Sequence, residues 1–184
     1  MNFNKHYELE GKHAFLSASK YHWLNYTEDK LVDVYNSMLA KTRGTELHEF
    51  ACNAIRFGIH LEETNETLSM YVNDCIDDGL EPEVVLYYSP NAFGTADGIS
   101  FENDILRIYD LKTGKTPASM KQLEVYAGLF CLEYKVNPND ILFHLRIYQL
   151  NEISVLEPTP DEIWEVIDRI IAFDNIIQNL RMEG

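Results

Sequence analysis

The stretch Phe93-Gly94-Thr95-Ala96-Asp97-Gly98-Ile99-Ser100-Phe101-Glu102-Asn103-Asp104-Ile105-Leu106-Arg107-Ile108-Tyr109-Asp110-Leu111-Lys112 decides how this chain is read. Two alternating segments flank the polar cluster Glu102-Asn103-Asp104, the pattern of an antiparallel hairpin. If Asn103 and Asp104 form a two-residue loop, cross-strand partners carry numbers summing to 207, which sets Asp97 opposite Asp110. Their carbons then lie about 5 Å apart. Alternation places Leu106, Ile108, Asp110 and Lys112 on one face, beside Phe101, Ile99 and Asp97 of the neighbouring strand. Two carboxylates facing each other on a half-buried sheet repel, so the arrangement calls for a raised carboxylate pKa or a bound cation. Lys112 balances only one of them. A hard divalent ion with oxygen ligands resolves the repulsion, and an acid pair with an adjacent lysine suits metal-assisted hydrolysis of a phosphodiester. The plainer alternative is a salt-bridged hairpin end, and a slip of one residue in the turn would send a side chain to the opposite face.

Outward from the hairpin, Val84-Val85-Leu86-Tyr87 reads as a strand over Glu83 to Tyr88, entered through the turn signal Asp78-Gly79 from a helical segment over Glu63 to Asp77. Further upstream, Leu47, Ala51, Cys52, Ile55 and Ile59 follow a 3.6-residue period and predict a helix opening at Gly44-Thr45, with Thr45 as its cap and Gly58 weakening its end. Before it, Trp23, Leu24, Leu31, Val34, Met38 and Leu39 suggest a helix capped by Ser17 or Ser19 and interrupted near Asn25 to Thr27. Downstream, Pro117 fits a first helical turn ahead of Leu123, Tyr126, Ala127, Phe130 and Leu132. Asp140 begins the next strand. Ile141 to Leu150 and Ile153 to Leu156 predict a second hairpin, and Pro158-Thr159-Pro160-Asp161 starts a helix carrying Ile163, Val166, Ile167, Ile170, Ile171 and Phe173. No repeat or low-complexity linker divides residues 1-184, so a single domain is expected.

Composition narrows the class. The 184 residues are 46% hydrophobic and 12% aromatic, which suits a folded globular chain and not an acidic disordered tail. No apolar run reaches the ~18 residues of a membrane span. The opening Met1-Asn2-Phe3-Asn4-Lys5-His6 lacks the apolar stretch of a secretion signal, so a cytoplasmic location without membrane contact is expected. Cys52, Cys75 and Cys131 are odd in number and widely spaced, which predicts buried thiols and neither a disulfide framework nor a thiolate metal site. The net charge of −15 argues at first sight against a polyanionic partner. That excess is concentrated, however: residues 61 to 104 hold eleven acids and no base, and 151 to 184 hold eight acids and two bases. Residues 1 to 60 balance at seven each, and 105 to 150 carry six bases against four acids, so those segments could face a polyanion.

Two motif readings fail on spacing. Gly114-Lys115-Thr116 would need a glycine where Tyr109 stands to form a nucleotide-binding loop. His48-Glu49 would need a second histidine where Cys52 stands to form a zinc-protease helix. His48 on its own is more often a partly buried helix residue than a ligand, unless a carboxylate site lies close enough for it to join.

The ordered set Gly44 to His48, Gly94-Thr95-Ala96-Asp97, Ile108-Tyr109-Asp110-Leu111-Lys112-Thr113-Gly114 and Gln122-Leu123-Glu124-Val125-Tyr126-Ala127 resembles the PD-(D/E)XK nuclease superfamily. Its RecB-like branch, which includes recombination nucleases, phage exonucleases and CRISPR-adaptation nucleases, fits best. The resemblance extends over about residues 14 to 150, including Leu16-Ser17-Ala18-Ser19 and Trp23. It implies an α/β restriction-endonuclease-like core, a central mixed β-sheet flanked by α-helices. It further implies that Asp97 and Asp110 bind Mg²⁺ or Mn²⁺, with the main-chain carbonyl of Leu111 and the imidazole of His48 as further ligands, and histidine ligation favours Mn²⁺. Lys112 would orient the attacking water or stabilise phosphorane charge. Gln122 and Tyr126, four apart on a helix face, would position the site or the DNA backbone, with Glu49 as an accessory. Ala96 stands where the name-giving proline would be, as is usual in this branch, and the cysteines that hold an iron-sulfur cluster in some relatives are missing, so no cluster is expected.

The resemblance thus implies a metal-dependent DNA nuclease of DNA recombination, repair or phage DNA metabolism, an exonuclease by the nearest pattern though these motifs leave exo- and endonucleolytic action open, with DNA as partner and room for a recombination or repair protein that supplies part of the DNA grip. The competing readings are a non-catalytic relative serving as a DNA-binding or protein-interaction module, and a hydrolase of small phosphorylated substrates.

Overall fold

A computed structural model describes residues 7–9, 11–12 and 14–182, so the opening residues 1–6, which bear on the secretion signal, lie outside the described part. The chain divides into two compact units, Met1–Arg43 and Gly44–Gly184.

In the first unit a 3₁₀ segment, Ala18–Asn25, kinks at Lys20 and ends in extended backbone at Tyr26. The expected cap at Ser17 does not form: the Ser17 hydroxyl pairs with that of Ser19, and the Ser17 carbonyl accepts from the Trp23 indole. The break expected near Asn25 to Thr27 is present, and Thr27 caps the next helix, its hydroxyl accepting from Lys30 N–H. That helix is α1 (Glu28–Phe57), continuous where the sequence suggested a fresh start at Gly44-Thr45. The continuity has a physical reason. Gly44 is buried, and a Cβ there would lie 2.8 Å from Thr113 Oγ1, so the glycine serves close approach and not helix termination.

The second unit is α/β, with a five-stranded mixed sheet in the order β1 (Glu81–Ser89), β2 (Ala92–Glu102), β3 (Ile105–Lys112), β4 (Leu142–Gln149) and β5 (Glu152–Leu156). Only β3 and β4 run parallel. They are joined through α3 (Lys121–Tyr134), as a parallel pair requires a crossover. One sheet face packs Leu86, Ile99, Leu106, Ile108, Leu145 and Ile147 against Leu123, Ala127 and Phe130 of α3 and Ile163 and Ile167 of α4 (Pro160–Met182). The other packs Tyr109, Leu111 and Tyr148 against Tyr71, Val72 and Cys75 of α2 (Thr67–Asp77) and Ala51, Ala54 and Ile55 of α1. The three cysteines are buried and unpaired. Among the described residues no helix is long and apolar enough to cross a membrane.

The central hairpin has the register read from sequence. Ile99 pairs with Ile108 and Phe101 with Leu106, because Asn103 and Asp104 both take positive φ (53° and 60°), as a two-residue turn that matches strand twist demands. Leu150 and Asn151 repeat the device between β4 and β5. Pro117, expected in the first turn of a helix, instead lies four residues ahead of α3. Gln149 holds the segment open, donating to the carbonyls of Gly114 and Thr116 and accepting from Ala118 N–H. The helical segment expected from Glu63 begins only at Thr67, whose N–H is satisfied by Asn151 Oδ1. α4 starts where expected, with Thr159 and Glu162 in a reciprocal cap.

Candidate functional site

β3 carries Asp110 and Lys112 two residues apart, hence on one face, and hands them to α3. Asp110 is 1% exposed, and burial raises its pKa, opposed by Lys112 and His48. Its Oδ1 accepts from Lys112 Nζ at 3.1 Å. The other oxygen, buried Oδ2, lies 2.9 Å from that ammonium but receives no directed hydrogen bond. Lys112 reaches on to Gln122 Oε1 at 2.9 Å, and Gln122 Nε2 donates to the Tyr126 hydroxyl at 3.1 Å. The relay Asp110–Lys112–Gln122–Tyr126 thus arises from strand parity and a four-residue helical step. Tyr126 fits because Gly94 lacks a Cβ, which would stand 2.8 Å from the ring.

Asp97 reaches the same end of the sheet. The ladder pairs Gly98 with Tyr109, and the next step in that register brings Asp97 level with Asp110. Asp97 Oδ2 accepts from Leu111 N–H at 3.0 Å and lies 3.4 Å from His48 Nδ1 of α1. The pKa of Asp97 is raised to about 6, first by burial and second by the negative charge of Asp110, against the pull of His48, the Leu111 N–H and Lys112. The like-charge pair inferred from the turn is therefore felt as repulsion. Of Leu111, the described contact is this N–H, which fixes the carboxylate.

Simple alternation does not survive along β2, however. Ala96 belongs to the α3 side, whereas a Cβ on Gly98 would touch Cys75, Leu80 and Tyr71 on the α2 side, so two residues of equal parity face opposite layers. The reversal sits at Asp97 and has a cause across the ladder. Glu83 of β1, bracketed by the pairs Pro82–Gly98 and Val84–Ala96, has φ of +57°, a left-handed conformation that a non-glycine residue inside a strand adopts only under constraint.

That twist turns Glu83 into a site residue absent from the sequence reading. His48, Glu83 and Asp97 each offer a ligand atom within 4.8 Å of the others. A borderline nitrogen with carboxylate oxygens is a donor set for Mg²⁺ or, with imidazole present, Mn²⁺ or Zn²⁺. Asp110, expected as a ligand, lies outside that group, its carboxylate drawn to Lys112, although its buried Oδ2 keeps an acceptor without a directed hydrogen bond. The signal that could have exposed Glu83 is register. A plain two-residue Pro90-Asn91 turn pairs Ser89 with Ala92 and would set Val84 opposite Asp97. A bulge between Tyr87 and Ser89 shifts the ladder by one and sets Glu83 there instead. The turn is pinned from α4: Asp174 Oδ1 accepts from Ser89 Oγ at 2.6 Å and from Asn91 Nδ2 at 2.8 Å.

Glu49, the expected accessory, lines a concavity of about 450 Å³ with His48, Asn53, Arg56 and Glu83. The sequence-derived candidates thus form two contact chains, His48–Asp97–Leu111 and Asp110–Lys112–Gln122–Tyr126, that are neighbours because Asp110 and Leu111 are consecutive on β3, and Glu49 stands outside both. Comparison with protein-family models, with curated proteins and with solved structures returned no match.

Proposed function

We propose that this chain is a metal-dependent deoxyribonuclease built on a restriction-endonuclease-like core, hydrolysing phosphodiester bonds by activated water. The observation that carries the reading is a buried carboxylate, Asp110, whose charge raises the pKa of the partly buried Asp97, with one oxygen unsatisfied and a lysine, a histidine and a strained glutamate around them. A fold keeps such an arrangement when a ligand repays it. The mixed sheet flanked by helices is the frame this reading expects.

The residues that would hold the ion are His48, Glu83, Asp97 and Asp110. A divalent ion held there would supply Lewis-acid polarisation of the phosphate and would lower the pKa of water. The protein supplies the rest. Lys112, held between Asp110 Oδ1 and Gln122 Oε1, keeps its ammonium at a fixed point and has a third N–H for a non-bridging phosphate oxygen as charge grows there. Gln122 and Tyr126 set the direction of that ammonium, and the Tyr126 hydroxyl adds a donor for the substrate backbone. The balance is simple: the water oxygen bonds phosphorus, one ester P–O bond breaks, and the leaving oxygen takes up a proton. His48 and the Leu111 N–H hold Asp97 as the acceptor form, which its surroundings otherwise oppose.

The net charge of −15 favours a second reading, a non-catalytic module that keeps the fold for protein contacts. Incubation with end-labelled linear and closed circular DNA in Mn²⁺, Mg²⁺ or EDTA separates the two. The nuclease reading expects metal-dependent cleavage lost in Asp110→Asn and Lys112→Ala. Cleavage that persists in EDTA or in both variants overturns it.

A further inference from the structure

α1 carries a polar stripe along one side of its second half. His48, the buried Cys52 and Arg56 succeed one another at steps of four, with Glu49 and Asn53 beside them, while Ala51, Ala54 and Ile55 face the core. This stripe and Glu83 form the walls of the 450 Å³ concavity, so its near end is the metal-type cluster and its far end is Arg56. The two ends differ in sign. Glu49 and Glu83 gather beside His48 at one, whereas Arg56 is exposed and, among the described residues, has no carboxylate within ion-pair distance. In a chain with twice as many acids as bases, an arginine left without a partner beside three acidic or imidazole groups is placed for an anion that comes from outside.

Resting on the nuclease reading, we infer that this groove is the track of the polynucleotide strand leaving the cleavage point, and that Arg56 grips a backbone phosphate remote from the scissile one. The spacing suits it. Eight residues of helix separate His48 from Arg56 by about 12 Å, the length of three to four nucleotides of a B-form strand, which advances about 3.4 Å each. Asn53, one turn nearer the cluster, offers neutral donors and an acceptor to the sugar-phosphate between. The guanidinium fork suits a phosphate bidentately, so the site takes a chain of several nucleotides and holds a mononucleotide diester only at its metal end.

The test uses the full chain with Mn²⁺, a 12-nucleotide single strand and duplex, and bis(p-nitrophenyl) phosphate, which has one phosphate and so cannot offer a second to Arg56 while the first is being cleaved. Arg56→Ala is expected to raise KM for the oligonucleotides about tenfold and to shallow their salt dependence by about one counterion. Hydrolysis of the small diester stays unchanged, and Arg56→Lys restores the salt slope, which a merely structural role would not alter. Unchanged KM and slope in Arg56→Ala, with wild type cleaving DNA, overturn the track and leave the nuclease reading intact. Wild type inert on DNA and on the small diester overturns both.

Discussion

The second unit holds two clusters of ionisable groups, one on the α2 face of the sheet and one around Asp97 and Asp110 that draws on both α1 and α3, and they are finished differently. On the α2 side, Arg146 donates to Asp74 at 3.0 Å, to the Tyr148 hydroxyl and to His144, and stacks 4.7 Å above the Tyr109 ring. Tyr148 donates to Asp74 and Tyr109 to Asp78, while His144 pairs with Glu157. Arg146 there meets Asp74 and Asp78 within the fold, and burial together with the hydrogen bonds to those aspartates raises both tyrosine pKa values. At the Asp97–Asp110 cluster the Lys112 ammonium is committed to Asp110, Asp97 has the His48 imidazole and the Leu111 N–H while the charge of Asp110 still raises its pKa, and Asp110 Oδ2 is left over. A closed network is structural cement; an unclosed one is stored electrostatic cost, and it marks where a ligand is expected.

The largest effects should separate the clusters by opposite outcomes. Asp110→Asn is expected to lower cleavage by about 10³-fold, yet leave the metal-free protein as stable or more so, since it removes a buried like charge. Arg146→Met should do the reverse: activity at wild-type level per folded molecule, with stability down by about 1–3 kcal/mol in denaturant unfolding. If Asp110→Asn proves the more destabilising, the contrast collapses.

Metal and pH sharpen it further. Asp97 has a folded pKa of about 6 against an ordinary 3.8, so between those values the folded state binds more protons than the unfolded one. In EDTA, the Asp97 contribution must therefore destabilise the fold progressively as pH rises from about 4 to 6, a trend absent in Asp97→Asn. With Mn²⁺ the thermal shift should grow over the same window, because the ion needs the deprotonated carboxylate, reaching about 2.7 kcal/mol at a hundredfold excess over Kd. His48→Ala should shrink that shift and Arg146→Met should not.

Two smaller effects probe geometry. Gly94→Ala drives a methyl to 2.8 Å from the Tyr126 ring, and the forced displacement should cost about 1–3 kcal/mol and slow cleavage without abolishing it. Glu83→Gly relieves the left-handed backbone and should stabilise the metal-free fold by about 1 kcal/mol while weakening Mn²⁺ binding in calorimetry. Stability unchanged and binding unchanged would remove Glu83 from the site.

Much of the site was legible because it depends on short-range periodicities. Asn103-Asp104 tolerates positive φ, so the turn length and hence the partner of each β3 residue could be counted. Lys112 and Asp110 share a face by parity, and Gln122 and Tyr126 share one by a helical turn. Glu83 was invisible because a one-residue bulge, held by a helix more than eighty residues downstream, chooses between it and Val84. Continuity of α1 through Gly44 was equally hidden: glycine reads as a break until the neighbour that needs its missing Cβ, Thr113, is known.

What the sequence determined by itself is therefore local: the alternation, the turn, and the positions of acid, lysine and amide relative to it, since steric limits on φ and ψ act over a few residues. The tertiary structure alone decided the reversal of facing at Asp97, the arrival of Glu83 and the polar groove ending at Arg56. Those depend on which distant surfaces meet, and packing between layers is a property of the whole chain and not of any window within it.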